Sequence, residues 1–489
     1  MRIVIVSNRV ATPAASQPLA GGMTVGIEGA LKQNGGLWLG WSGRTRCDDT
    51  MVSYHEYKTQ ILYVTVDLPA GDFAGYYNGF SNQVLWPLFH DRPDLVRFLR
   101  KDYEAYCRVS ERFADEVVRL LREDDVVWVQ DYHLLPLGHA LRRRGVRNRI
   151  GFFLHTPFCD PREVDLLPVA ADLRQFFASY DLSGFQTEDD LLAFEEFEDL
   201  HRPTGAGSRT RPEARARTGV FPVGIDTREF ELMAEHAEID HAGLASIMNP
   251  MRPGVAPIIA VDRLDYSKGI VERFCAFESF LRLYPEWESK ASLVQIAPIG
   301  RGEVPAYREE TSRVRSAHVA VNAAHGSGRE HCAHLLTEAV DRRSLAAAYR
   351  RSRVGIVTPL RDGMNLVAKE YVAAQDPDDP GVLVLSRFAG AARELAGGAL
   401  IVDPRDPCGV AHALNRALTM DPAERLDRWE TMIAVIRGND AAGWASSFIN
   451  RLTQGHADPV PLIARPRSTD GSPSFSGYEA VGARVRAVG

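Results

Sequence analysis

Between the apolar run at 257–261 and a helical pattern beginning at 269, the chain reads Asp262-Arg263-Leu264-Asp265-Tyr266-Ser267-Lys268-Gly269. Two cations at spacing five stand directly before a helix N-terminus. A guanidinium is a bidentate fork for phosphate oxygens, an ammonium is a point charge, and the helix end adds partial positive charge. The combination suits a diphosphate. A solvated loop is the plainer alternative, because 51 of the 57 basic residues are arginine and only six are lysine. Single arginines are weak evidence in such a chain, and Lys268 and Lys369 are better evidence. After the run at 353–357 comes Thr358-Pro359-Leu360-Arg361-Asp362-Gly363-Met364-Asn365-Leu366-Val367-Ala368-Lys369-Glu370. Asp362-Gly363 makes a turn and a helix starts near Asn365, so its first N–H groups can hold a phosphate. Glu370 lies one turn in, where a carboxylate can accept from ribose hydroxyls or serve as an i,i+4 partner on a solvated face.

Other strand ends carry further candidates. Arg301 lies between Gly300 and Gly302 after the run at 292–297, free to reach an anion. Ser7-Asn8-Arg9 follows the first strand, and Gly21-Gly22 precedes a helix near Thr24. Paired glycines admit an anion to backbone N–H groups, but without a full G-x-G-x-x-G an ordinary strand–helix loop explains them as well. Asp131 and His155 follow two apolar strands and should face a cleft, although a helix cap or a packed histidine accounts for each singly. Tyr76-Tyr77-Asn78-Gly79-Phe80-Ser81-Asn82, leading to Trp86, offers rings and amides to a sugar face, or an aromatic core patch. His325, His331, Cys332 and His334 carry metal-type side chains at a spacing that matches no zinc pattern.

These residues need strands and helices to place them. Buried strands are expected at 2–6, 61–66, 126–130, 150–154, 257–261, 292–297, 353–357, 382–385 and 399–402. Helices are expected at 24–33, 94–121, 133–144, 189–199, 269–284, 341–350, 367–375, 408–418, 422–437 and 441–452. Alternation of near-continuous apolar strands with helices predicts an α/β fold of parallel sheets covered on both faces. Two such blocks predict two Rossmann-like, doubly wound domains facing one cleft, with ligands outside the carboxyl ends of the strands. The boundaries expected are 1–245 and 246–440, then a helix at 441–455 returning to the first domain. A mobile surface loop is expected at 201–218 and a disordered tail at 456–489.

Composition bounds the partners. With 489 residues, 45% hydrophobic and 25% charged, and a net charge of −7, the chain can bury a large core and has no global affinity for nucleic acid or an anionic membrane. No run of about 18 apolar residues suggests a membrane span, and the apolar N-terminal run is too short for a signal peptide. Six cysteines without a C-x-x-C are no disulfide framework. A reduced, cytoplasmic protein is expected.

Taken together, VSNRV with AGG, GLWLGWSG, YYNGFSNQVLWPLFH, QDYHLLPL, IGFFLHTPF, GFQTEDD, FPVGID, VDRLDYSKG, QIAPIGRG and TPLRDGMNLVAKEYVAAQ resemble the trehalose-6-phosphate synthases, family 20 retaining glycosyltransferases, over residues 1–452. The resemblance implies the glycosyltransferase B fold. It implies transfer of glucose from a nucleotide sugar, usually UDP-glucose, to glucose 6-phosphate, in trehalose biosynthesis and hence osmoprotection. By resemblance, Arg9, Arg301 and Tyr77 hold the acceptor phosphate, Asp131 binds acceptor hydroxyls, and Trp86 walls that site. Gly21 and Gly22 lie by the donor diphosphate, which Arg263 and Lys268 clamp. Asp362 holds donor glucose hydroxyls, the stretch Met364, Asn365, Leu366 and Val367 meets donor groups, Glu370 the ribose, and the Val340 backbone the base. His155 lies near the reacting sugar, so the catalytic set is His155, Asp362, Arg263 and Lys268. No metal or other cofactor is expected, since cations and a helix end can stabilise the leaving diphosphate. Same-face attack, with the departing phosphate taking the acceptor proton, needs no separate base, unlike two-carboxylate glycosidases. A homo-oligomer, dimer or tetramer, is implied.

The segment between Asn322 and Val340, AAHGSGREHCAHLLTEA, departs from the family's aromatic and proline pattern, which leaves UDP, GDP and ADP open. Thr156 and Cys159-Asp160 depart too. A transferase with another acceptor, such as glycerol 3-phosphate, or with a pseudo-sugar donor, and a non-catalytic sugar-phosphate-binding homologue are the alternatives.

Overall fold

The computed structural model describes residues 1–10, 27–29, 31, 35–47, 51–56, 61–200, 217–326 and 331–454. One sheet comprises β1 (Ile3–Arg9), β2 (Gly36–Arg46), β3 (Met51–Glu56), β4 (Ile61–Pro69), β5 (Val126–Gln130), β6 (Arg149–Phe153), β7 (Leu182–Phe185) and β8 (Arg217–Val220), in the order β3-β4-β2-β1-β5-β6-β7-β8. A second comprises β9 (Ala256–Val261), β10 (Ala291–Ile296), β11 (Ala333–Leu336), β12 (Val354–Val357), β13 (Val382–Ser386) and β14 (Leu400–Val402), in the order β11-β10-β9-β12-β13-β14. All neighbours pair in parallel except β3 with β4. Central strands such as β5 and β13 are buried along their whole length, because helices cover both faces. Among the parallel strands of each sheet the order reverses direction once, between β1 and β5 and between β9 and β12. Loops leaving these paired strands diverge to opposite faces and open a crevice at the carboxyl ends.

The nine expected strands fall on β1, β4, β5, β6, β9, β10, β12, β13 and β14. Sequence reading misses β2, β3, β7, β8 and β11. Gly36, Gly40, Gly43, Gly184 and Gly219 break the apolar runs of three of them, and β7, β8 and β11 are only four residues long. It also misses the helix Pro305–His325, whose polar composition follows a Gly- and Pro-marked turn and opens with proline in its first turn. The aromatic stretch is helical: Ala70–Phe73, a wide π-helical run Ala74–Leu85 and Trp86–Phe89 follow without a break. Amides support the wide turns, with Asn82 Nδ2 donating to the Tyr77 carbonyl at 2.7 Å and Gln83 Nε2 to that of Asn78 at 3.0 Å. The helix expected at 94–121 begins at Arg100, after an extended Val96 and Leu99. That expected at 133–144 begins at Leu137, after a short 3-10 turn at Tyr132–Leu134. Of the expected loop, Arg217 and Thr218 instead extend β8 beside β7, while 201–216 lie outside the described residues. Gly21, Gly22 and the tail 456–489 lie outside them too.

Two crossings join the halves, and they run side by side. The chain leaves the first sheet through Phe221–Asp226 and returns through Asn439–Asp440 to the helix Ala441–Thr453. Asn439 Nδ2 donates to the Pro222 carbonyl at 3.0 Å and the Ala441 N–H to that of Ile225 at 3.2 Å. Buried Lys369 adds a bond to the Val223 carbonyl at 2.8 Å and an ion pair to Glu394 at 2.6 Å. Gly224 is required here, because a Cβ would lie 2.2 Å from the Asn439 oxygen. The returning helix buries Trp444 and Phe448 against Trp128 of β5, at ring separations of 4.9 and 4.7 Å. All six cysteines are unpaired, and no described helix is long and apolar enough to cross a membrane.

Candidate active site

The loops after β9 and β12 meet at the second sheet's reversal, and a fully buried arginine sets them. Arg273 bonds Asp262 at 2.6 Å, Gln295 at 2.6 Å, the Thr358 hydroxyl at 2.9 Å and the Lys268 carbonyl at 3.3 Å, tying the ends of three strands together. On this frame the Lys268 ammonium lies 2.5 Å from Asp362 Oδ2, both side chains being nearly buried. Asn365 Nδ2 donates to the same oxygen at 2.9 Å and its own Oδ1 accepts from the Ala368 N–H at 3.4 Å, capping the helix Leu366–Ala374. Burial pushes the Asp362 carboxyl up, but Lys268 outweighs it and holds the group below the usual carboxylate range. The first N–H groups of that helix lack intrahelical partners, so the corner presents an ammonium and a positive helix end together. Arg263 is exposed beside it, its guanidinium 5.3 Å from the Trp86 ring centre.

Trp86 belongs to the first half, and the second half reaches it. Arg301 stacks on it at 4.1 Å, with its side chain 8% exposed. Trp86 Nε1 donates to Asp265 at 3.4 Å, and His90 stacks on the Trp86 ring at 4.0 Å. Two further contacts join the halves. Arg361 pairs with Asp91 at 3.2 Å and donates to the Phe158 carbonyl at 2.9 Å. Gly363 packs so closely that a Cβ would lie 2.1 Å from the His155 carbonyl oxygen.

In the first half, exposed Arg9 at the end of β1 lies 5.8 Å from the Trp41 ring, and Trp41 lies 6.3 Å from Tyr77. Tyr77 stacks on His133 at 5.8 Å and lies 6.0 Å from the Arg301 guanidinium, so an aromatic row spans Arg9 to Arg301. Burial raises the Tyr77 hydroxyl, but Arg301 and Arg263 outweigh it and hold the group below its ordinary value. Asp131 accepts from the His155 N–H at 3.1 Å and lies 3.5 Å from His133 Nδ1. Burial raises its carboxyl, and the His133 side chain and neighbouring histidines bring it below the usual range. His155 Nε2 bonds Gln130 at 2.9 Å, and burial lowers the imidazole to about 4, so it is neutral at pH 7.

Met364 and Val340 are buried, Leu366 and Val367 are half-buried at the helix start, and burial lifts the Glu370 carboxyl to about 7 against the opposing charge of Arg342. Three of the five described non-glycine residues with left-handed backbone are Asp131, Arg301 and Asn365, at φ 70°, 45° and 74°. Such strain gathers where a site over-determines its residues. The structure adds Trp41, His90, Gln130, Asp265 and Tyr307 to the sequence candidates. Trp41 stands within the run GLWLGWSG, and Asp265 between the two cations, but nothing in their spacing tells packing from a site. Among the described residues no group of three or more metal-type side chains can hold an ion, the 325–334 histidines included.

A crevice that gathers guanidiniums, an ammonium and a helix end between two mostly parallel α/β sheets suits a ligand that carries phosphates. The model of glycosyltransferase family 20 matches residues 4–454, and the chain belongs to that family. It is 48% identical over 477 residues to trehalose-6-phosphate synthase of Escherichia coli O1:K1 / APEC, covering 97% of this chain and 99% of that one. A trehalose-6-phosphate structure from E. coli bound with UDP-2-fluoro glucose superposes with TM-score 0.87 at 46% identity, over 93% of this chain and 100% of the other. An α,α-trehalose-phosphate synthase from Burkholderia xenovorans in complex with glucose-6-phosphate superposes with TM-score 0.86 at 42% identity, over 93% and 100%. The two-sheet architecture is the glycosyltransferase B fold.

Proposed function

We propose that this chain is a retaining glucosyltransferase that moves glucose from a nucleotide-glucose, UDP-glucose foremost, to glucose 6-phosphate, giving α,α-trehalose 6-phosphate and the nucleoside diphosphate. One observation carries the reading: Trp86 of the first half is stacked by Arg301 and Arg263 of the second, beside the Lys268–Asp362 corner. In this reading Arg301 on Trp86 serves a sugar phosphate, and Arg263 with the Lys268 corner serves a nucleotide sugar. The relatives bound to a UDP-glucose analogue and to glucose-6-phosphate support it.

In this reading Arg301, Arg9 and Tyr77 take the acceptor phosphate, with Trp86 walling that pocket and Asp131 accepting from sugar hydroxyls. Arg263 and Lys268 clamp the donor diphosphate with Gly21 and Gly22, and Asp362, freed from Lys268, accepts from donor glucose hydroxyls. The backbone from Met364 to Val367 receives the donor at the helix start, Glu370 the ribose and Val340 the base. As the glycosidic bond breaks, charge grows on the diphosphate, and preset cations stabilise it more than they stabilise the bound donor. Neutral His155, held by Gln130, offers a hydrogen bond to the reacting sugar. Mixing donor with glucose 6-phosphate should release nucleoside diphosphate and yield an α,α product, and a panel of UDP-, GDP- and ADP-glucose should favour the uridine donor. Binding of both ligands with no release would overturn the reading. We further propose domains at 1–245 and 246–440, with 441–455 returning to the first, in a cytoplasmic homo-oligomer whose size sedimentation would read.

A further inference from the structure

Arg301 does not hold its posture unaided. Its backbone is left-handed, and its neighbours Gly300 and Gly302 each have open space where a Cβ would stand, so the loop itself restrains little. Yet its guanidinium is buried and lies squarely on Trp86. Two side chains account for this. The Tyr307 hydroxyl accepts from Arg301 Nη1 at 2.5 Å and donates to Asp265 Oδ2 at 2.9 Å, and that oxygen is itself 3.7 Å from Nη1. Asp265 Oδ1 accepts from Trp86 Nε1 at 3.4 Å and from the Ser267 N–H at 3.0 Å, capping the short turn Tyr266–Lys268. One carboxylate, 1% exposed, therefore fixes the cation, the ring beneath it and the turn that carries Lys268.

We propose that Asp265 and Tyr307 are positioning residues for acceptor-phosphate recognition, holding Arg301 on Trp86 in register with the turn that presents Lys268. The inference rests on the assignment of Arg301 to the acceptor phosphate. Asp265 also offsets the buried guanidinium while no phosphate is present, since an unpaired buried charge is costly. An incoming phosphate then meets a cation already in place and spends little affinity on ordering it.

Tyr307→Phe keeps the ring and removes only the hydroxyl between Arg301 and Asp265. Loss of a hydrogen bond to a charged group should raise both KM and the calorimetric Kd for glucose 6-phosphate roughly tenfold. KM for UDP-glucose, Kd for UDP and kcat should stay within about twofold, a split that general loosening would not give. Asp265→Asn, which also removes the charge, should raise the glucose 6-phosphate constants further, to about a hundredfold. An unchanged glucose 6-phosphate constant in Tyr307→Phe, or equal rises for both substrates, would overturn the proposal. Wild-type protein that binds glucose 6-phosphate yet releases no nucleoside diphosphate would refute the transfer reading alone, with the calorimetric ratio still deciding the positioning pair. Wild-type protein that binds no glucose 6-phosphate would refute both.

Discussion

The two halves of the crevice manage charge differently. In the second half the buried cations already have carboxylates: Lys268 has Asp362, Arg301 has Asp265, and Arg273 has Asp262. In the first half Arg9 is exposed and stacks on Trp41, and Asp131 is met by the His155 backbone N–H and the His133 imidazole. The difference follows from burial. A guanidinium near water keeps its solvation, whereas a buried one must be paired or it shifts the fold away from that arrangement. It teaches that the second half keeps its buried cations preset against carboxylates, while the first half offers an exposed cation on an aromatic shelf.

The contrast can be broken or sharpened by substitution. Lys268→Ala should have the largest effect, lowering turnover about a thousandfold by removing charge from the leaving group. Arg263→Ala should act in the same direction, and near-normal turnover in both would end the diphosphate clamp. Arg301→Ala should act on the acceptor instead, raising KM for glucose 6-phosphate about a hundredfold, because the loss also leaves Asp265 buried without its cation. An unchanged KM would remove Arg301 from the acceptor pocket. Glu370→Gln probes burial that outweighs the opposing charge of Arg342. Its carboxyl titrates near 7 in the folded chain and lower when unfolded. The folded state therefore binds the extra proton between those values, and the wild type loses stability as pH rises through that window. The variant should gain roughly 1–3 kcal/mol over wild type at pH 8 and almost nothing at pH 4, in denaturant melts at each pH. Equal stability differences at both pH values would place Glu370 in water. Arg9→Ala should be mildest, about fivefold in KM for glucose 6-phosphate, as suits an exposed stacked cation. A loss as large as that of Arg301 would erase the distinction between the halves.

Much of this was legible in the residues, and what was not has physical causes. Apolar runs such as Val126–Gln130 and Val382–Ser386 read directly as strands because both faces are buried. Their carboxyl ends then pointed to Arg9, Asp131, His155, Arg263, Arg301 and Asp362. Glycine-broken β2 and four-residue β7, β8 and β11 carry too little pattern to register alone. Asp265 was illegible because its partners Arg301, Tyr307 and Trp86 lie 36 to 179 residues away, and Tyr307 because what it does is join nearby Arg301 to distant Asp265. The pairing of Lys268 with Asp362 was likewise hidden, since spacing marks each as a binder of something outside the chain and cannot show them bound to each other.

The two passages that join the halves lie against one another at Gly224 and Asn439. Any side chain larger than hydrogen at Gly224 would therefore prise the outgoing and the returning passage apart together, and one small residue guards both joints at once.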